Sequence, residues 1–219
     1  MADASSQRID ELDMPIPEHR VWDACQRVLA AGLLLVLSPL FLLFVVLIKL
    51  TSRGPAIYTQ MRPGYLGYPF RIYKFRTMTV GSDADPKMGL AVPTRSERVT
   101  GVGRFLRKVK LDELPQLWNV VRGDMTLVGP RPIAQVLHDQ LMEQVPGFGR
   151  RYLVKPGLTN VAQVTIMENL PADQVVEDWK IRFEAEYHYV QRKSFAYDVV
   201  VITLTMLFIL RKALPVGKG

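Results

Sequence analysis

Residues 28–48 read VLAAGLLLVLSPLFLLFVVLI and carry no charge. At about 1.5 Å per residue, a straight helix over that run just spans a bilayer core, so the chain has to fold around a membrane element. Its flanks bear on whether it crosses: Arg20 and Arg27 lie before it, Lys49 and Arg53 after it. A spanning helix usually shows a Lys/Arg bias between its ends, whereas here both ends ask to stay on the cytoplasmic side. Midway, Pro39 removes a backbone donor and clashes with the preceding turn, and the Ser38 hydroxyl can bond to a freed carbonyl. The pattern predicts a re-entrant helix broken at Ser38-Pro39; the competing reading is a Pro-kinked transmembrane helix.

The 219 residues leave room for one small domain beside this element. With Lys+Arg 28 against Asp+Glu 21, the formal charge of +7 calls for an anionic partner: nucleic acid, a phosphorylated substrate or an anionic leaflet. Aromatics are not interleaved with the cations and no helix-turn-helix is visible, which argues against nucleic acid. The single Cys25 excludes an internal disulfide and a thiolate zinc site. Residues 1–19 are polar and acidic, with Pro15 and Pro17, the wrong charge for a signal peptide, and read as a tail.

Strands are predicted at 56–60 and 70–78, joined through Arg62-Pro63-Gly64 and Gly67. In the second, Lys74 and Arg76 share a face by the two-residue period, as a phosphate clamp or as a solvated edge. Residues 81–100 lack periodicity and read as a loop, with Asp83 and Asp85 a weak metal signal. Gly101-Val102-Gly103 lacks the preceding strand and third glycine of a dinucleotide site. A short basic helix at 103–109 carries Arg104, Arg107 and Lys108, and leads into KLDELPQLWNVVRGDMTLVGPRP at 110–132.

Adjacent carboxylates such as Asp112-Glu113 need a cation or a proton to coexist in a cleft, so they suggest a divalent metal or acid/base work. The plainer reading is a helix 113–121 with Asp112 as N-cap, closed by Gly123. Both hold if the helix N-terminus is itself the anion site. Asp124, a strand at 126–128 and the stiff turn Gly129-Pro130-Arg131-Pro132 follow, and two prolines lower the entropy of holding a guanidinium against an anion. Further on lie a helix at 133–145, a turn into 158–165, an amphipathic helix at 174–192 and an interfacial apolar helix at 199–210 that docks beside the first membrane element.

Taken together, the broken apolar helix, TQMRPG (59–64), KFRTM (74–78), LDELPQLWNVVRGDMTLVGPRP (111–132), KPGLTNVAQV (155–164) and YVQRKSFAYDV (189–199) resemble the bacterial sugar transferase family, the small monotopic phosphoglycosyl transferases that initiate surface-glycan assembly. The resemblance implies an α+β, mainly helical fold: a tail at 1–19, a re-entrant element at 20–52, a cytoplasmic catalytic domain at 53–194 with short strands, and an interfacial helix with a basic tail at 195–219. It implies transfer of a sugar 1-phosphate from a nucleotide sugar, usually a UDP-sugar, to polyprenyl phosphate at the cytoplasmic face of the bacterial inner membrane. By that likeness Asp112 is the nucleophile of an aspartyl-phosphosugar intermediate and Glu113 binds metal or takes a proton, with Mg2+ the expected ion on Asp112 and Glu113. Lys74, Arg107 and Arg131 match positions suited to the substrate phosphates and nucleotide, with Arg62 and Asp124 as supporting partners, and Arg76 is added as a substrate-binding candidate by its shared face with Lys74. A homodimer is left open. Asn160-Val161 stands where the family often has Gly-Trp, so no contact of that Trp is carried over. Two alternatives stand beside this reading: a transferase moving only the sugar, and a basic membrane scaffold.

Overall fold

In the computed structural model, the structure describes residues 20–82, 98–166 and 175–213; the 1–19 tail, Asp83 and Asp85 lie outside the described residues. The apolar run forms α1 (Arg20–Val36) and α2 (Ser38–Thr51), bent by 61°. The bend has the local cause that its chemistry predicts. Pro39 cannot donate to the Leu35 carbonyl, and Ser38 Oγ donates to it instead at 2.7 Å. On either side the helical ladder persists, from the Leu37 N–H to the Leu33 carbonyl and from the Phe41 N–H to the Leu37 carbonyl, both 2.9 Å. Among the described residues no single helix is long and apolar enough to cross a membrane, but the bent pair together has the length and composition of a broken span or re-entrant loop.

β1 (Ile57–Pro63) and β2 (Pro69–Phe75) form an antiparallel hairpin pairing Ile57 with Phe75 and Pro63 with Pro69. The outer edge of β2 is closed by a side chain. Asn119, fully buried, accepts from the Tyr73 N–H at 3.2 Å and donates to the Arg71 carbonyl at 2.7 Å, standing in for a third strand. After α3 (Gly101–Lys108), capped by Thr100, Lys110 adopts the left-handed conformation at φ 59°. A 3-10 turn, Leu111–Glu113, follows, and only then α4 (Gln116–Arg122). The expected helix from 113 with Asp112 as N-cap is therefore corrected. Pro115 has no N–H for the Leu111 carbonyl, which takes the Leu114 N–H at 3.2 Å instead, and the α-helix restarts after the proline.

β3 (Thr126–Val128) and β4 (Gly157–Thr159) pair in parallel, Thr126 beside Gly157 and Val128 beside Thr159. Gly129 and Gly157 sit back to back, and a Cβ on either would meet the other strand's backbone. Buried Gln26 of α1 accepts from the Leu127 N–H at 2.7 Å, tying the first helix to β3. α5 (Gln135–Gln144), α6 (Val161–Thr165), α7 (Val175–Arg192) and α8 (Phe195–Ala213) complete the α+β, mainly helical architecture. α8 docks on α1. Its buried Asp198 accepts from the Trp22 indole N–H at 2.7 Å and from the Tyr189 hydroxyl at 2.6 Å, and Phe195 meets the Trp22 ring edge-on at 4.6 Å. Leu42, Leu43, Val46 and Leu50 of α2 and Leu204, Leu207 and Leu210 of α8 remain exposed, an apolar rim suited to lipid.

Candidate active site

The Asp112-Glu113 turn is mounted on the membrane element. Leu111 and Leu114, on either side of the pair, pack against a core made by Phe44 and Ile48 of α2, Phe75 of β2 and Leu106 of α3. Leu114 also packs into the second core, which holds Ala30 of α1, Leu37 at the bend and Leu117 of α4, so the acidic turn sits where the two cores meet.

Glu113 is buried, and its carboxylate is gripped by cations from distant parts of the chain. Lys74, at the end of β2, donates to Oε1 at 2.9 Å. Arg131, from the Pro-flanked turn after β3, donates to Oε1 at 2.7 Å and to Oε2 at 3.4 Å. Burial alone would raise the Glu113 pKa, but the Arg131 and Lys74 charges and hydrogen bonds outweigh it and hold the group well below its usual value. Asp112 goes the other way. Half-buried and with no side-chain hydrogen bond among the described residues, it is pushed upward by burial and then by the Glu113 charge, against the pull of Lys74, Arg107 and Arg131. Arg107, on the last turn of α3, donates through Nε to Thr77 Oγ1 at 2.9 Å. Arg62 bonds the Pro132 carbonyl at 3.2 Å behind the turn, and burial, with the Arg131 charge, lowers its pKa to about 10.

Lys74, Arg107, Asp112, Glu113 and Arg131 thus converge, with Arg62 supporting from behind. Two expected members do not join them. Arg76 lies one residue past β2, its N–H still bonded to the Ala56 carbonyl at 2.8 Å, and its side chain is buried at the C-terminus of α2, on the Ser52 carbonyl at 2.9 Å and hydroxyl at 2.7 Å. Asp124, past the far end of α4, bonds Asn119 at 3.3 Å and pairs with Arg122 at 3.2 Å. One participant went unpredicted. Gln163 of α6 accepts from Arg131 at 3.2 Å, and the signal available was only its place in the KPGLTNVAQV motif.

For Mg2+ the donor set fits in part. Asp112 offers a hard, half-buried carboxylate without a hydrogen-bond partner among the described residues, which a cation would satisfy. Glu113 Oε1 is taken up by Lys74 and Arg131, which leaves Oε2, with its one 3.4 Å contact from Arg131, as the oxygen open to a cation.

A carboxylate pair sorted into one shielded and one receptive member, ringed by cations and seated on an apolar bent helix, is the equipment of a membrane-associated enzyme that handles phosphate esters. Comparison with known proteins narrows that class. The bacterial sugar transferase family model matches residues 18–212, and the chain belongs to that family, an enzyme of the phosphoglycosyl transferase class. It is 43% identical over 196 residues to the UDP-glucose:undecaprenyl-phosphate glucose-1-phosphate transferase of Caulobacter vibrioides, covering 88% of this chain and 72% of that one. It is 38% identical to the UDP-N-acetylgalactosamine-undecaprenyl-phosphate N-acetylgalactosaminephosphotransferase of Aeromonas hydrophila, over 90% of this chain and 45% of that longer protein. An uncharacterized sugar transferase of Bacillus subtilis is 39% identical over 81% of both chains.

Proposed function

We propose that this protein transfers a sugar 1-phosphate from a UDP-sugar to undecaprenyl phosphate at the cytoplasmic face of the bacterial inner membrane, through a phosphosugar ester on Asp112, releasing UMP. The carrying observation is the contrast within the acidic pair: Asp112 has no hydrogen-bond partner among the described residues, while Glu113 is locked between Lys74 and Arg131. An Asp112 carboxylate oxygen attacks the sugar-bearing phosphorus. The new P–O bond forms as the bond to the bridging oxygen breaks, and UMP leaves with that electron pair. A phosphate oxygen of the lipid acceptor then attacks the same phosphorus and returns the Asp112 carboxylate.

Lys74, Arg107 and Arg131 neutralise the phosphates that Asp112 must approach. Glu113, with its pKa held so low, suits the task of aligning Lys74 and Arg131 better than that of accepting a proton at neutral pH. Mg2+, held through Asp112, would supply further charge neutralisation on the diphosphate. The packing of Leu111 and Leu114 on α2 ties the acidic turn to the apolar element, which supports a lipid-borne phosphate as the acceptor.

The test is a panel of UDP-sugars with undecaprenyl phosphate and Mg2+ in nanodiscs, assayed for nucleotide products. UMP release dependent on acceptor, and its loss in Asp112→Asn by at least about a thousandfold, is expected. UDP release, meaning transfer of the sugar alone, or an active Asp112→Asn enzyme, would overturn the assignment.

A further inference from the structure

Arg131 lies between two prolines, which have no backbone N–H, so its own N–H is the single backbone donor from 130 to 132. That donor goes to Glu186 Oε1 on α7 at 2.8 Å. The Arg131 carbonyl accepts from a terminal nitrogen of Arg151 at 2.6 Å. Arg151 closes the ring through Nε and the same terminal nitrogen onto Glu186 Oε2, at 3.0 and 2.7 Å. Both side chains of this pair are only 1% exposed. The Phe148 and Trp179 rings, at 4.9 and 5.3 Å from the guanidinium, hold Arg151 in place.

A buried ion pair is a poor source of stability, because well-packed apolar side chains of the same volume usually do as well or better. What apolar side chains cannot do is hold both polar groups of one residue's backbone. The flanking carbonyls are held separately, Pro130 by the Gly157 N–H at 3.0 Å and Pro132 by Arg62 at 3.2 Å. Loss of the pair would therefore let the peptide at 131 swing while its turn stayed in place.

We propose that Arg151 and Glu186 are positioning residues that clamp the Arg131 backbone so that its guanidinium is aimed at Glu113 and at the substrate phosphates, which rests on the role of Arg131 given above. Sub-ångström control of such a group matters, since a misplacement of about 1 Å can cost on the order of 100-fold in rate.

The test is a double-mutant cycle on UMP release. Arg151→Met/Glu186→Leu, made together, is expected to fold with a Tm lowered by the two Arg131 backbone groups it leaves unpaired, and to lose about 10- to 100-fold in kcat with a smaller change in KM. In an Arg131→Ala background, already slow, the same pair of changes is expected to cost less than about twofold more. Arg151→Lys, which keeps both charges but loses the planar fork and its Nε bond to Glu186, runs the same cycle should the apolar pair fail to fold. Equal fractional losses in both backgrounds would overturn the clamp alone. An Arg131→Ala enzyme at full rate would remove the role assigned to Arg131 itself, and the clamp with it.

Discussion

Asp112 and Glu113 share a turn and a charge, yet their surroundings push them apart, and the sign of each shift has a consequence for stability. The Asp112 pKa is raised by burial and by Glu113, so the folded state prefers its protonated form; that contribution is present below the unfolded value of 3.8 and lost as pH rises through the folded one. The Asp112 charge therefore opposes folding, and Asp112→Asn is expected to raise Tm while abolishing turnover. Glu113 is the reverse case: its folded pKa lies well below 4.5, so its contribution is full above that value and disappears as pH falls through the folded pKa. Glu113→Gln is expected to lower stability at pH 7 by ~2 kcal/mol, discounted for the partial exposure of its two cations, with the deficit narrowing in acid. Denaturant unfolding of both variants from pH 7 to pH 3 checks the opposite signs. The acidic pair was legible in the sequence, but this division of labour was not, because Lys74 and Arg131 stand 39 and 18 residues away along the chain.

At the scale of elements, what was legible followed from local chemistry. The break in the apolar run could be placed at Ser38-Pro39 because a missing N–H and a nearby hydroxyl act within one turn, and the Ser38 bond to the Leu35 carbonyl is that mechanism. The Asp112 helix start failed for an equally local reason, the restart imposed by Pro115. The place of Arg76 was not legible because its partner, Ser52 at the end of α2, is a tertiary contact with no periodic signature. Asn119 and Gln26 could not be found from the sequence, since a side chain that closes a strand edge has no periodic signature. The bend predicts a topology. With Cys25 replaced by Ser, single cysteines at positions 20 and 49 should both react with a membrane-impermeant reagent from the cytoplasmic side. Ser38→Ala/Pro39→Ala should straighten the pair and move a fraction of one flank to the opposite face; labelling of the two flanks from opposite sides in the unsubstituted protein would contradict re-entry.

Across the whole molecule, membrane element and active site are one construction. α1 is tied to α8 and α7 through Trp22, Asp198 and Tyr189, to β3 through Gln26, and to the acidic turn through Leu114. Trp22→Phe would remove the indole donor from fully buried Asp198, at a cost of about 1.5–3 kcal/mol for a hydrogen bond to a charged group. A lower unfolding temperature in nanodiscs, with α8 more open to proteolysis, is the expected readout. The sequence showed both apolar segments and their docking, but not the Glu186–Arg151 ring: Glu186 lies on the apolar stripe between Phe183 and Val190, and only the fold reveals that it bonds a backbone. The most direct test of the chemistry withholds the lipid acceptor. Enzyme in nanodiscs mixed with its UDP-sugar should release a burst of UMP approaching one per active site, and peptide mass spectrometry should find the sugar phosphate on Asp112, discharged when undecaprenyl phosphate is added. No burst, no adduct and UMP appearing only once both substrates are present would mean direct transfer, and would contradict Asp112 as the nucleophile.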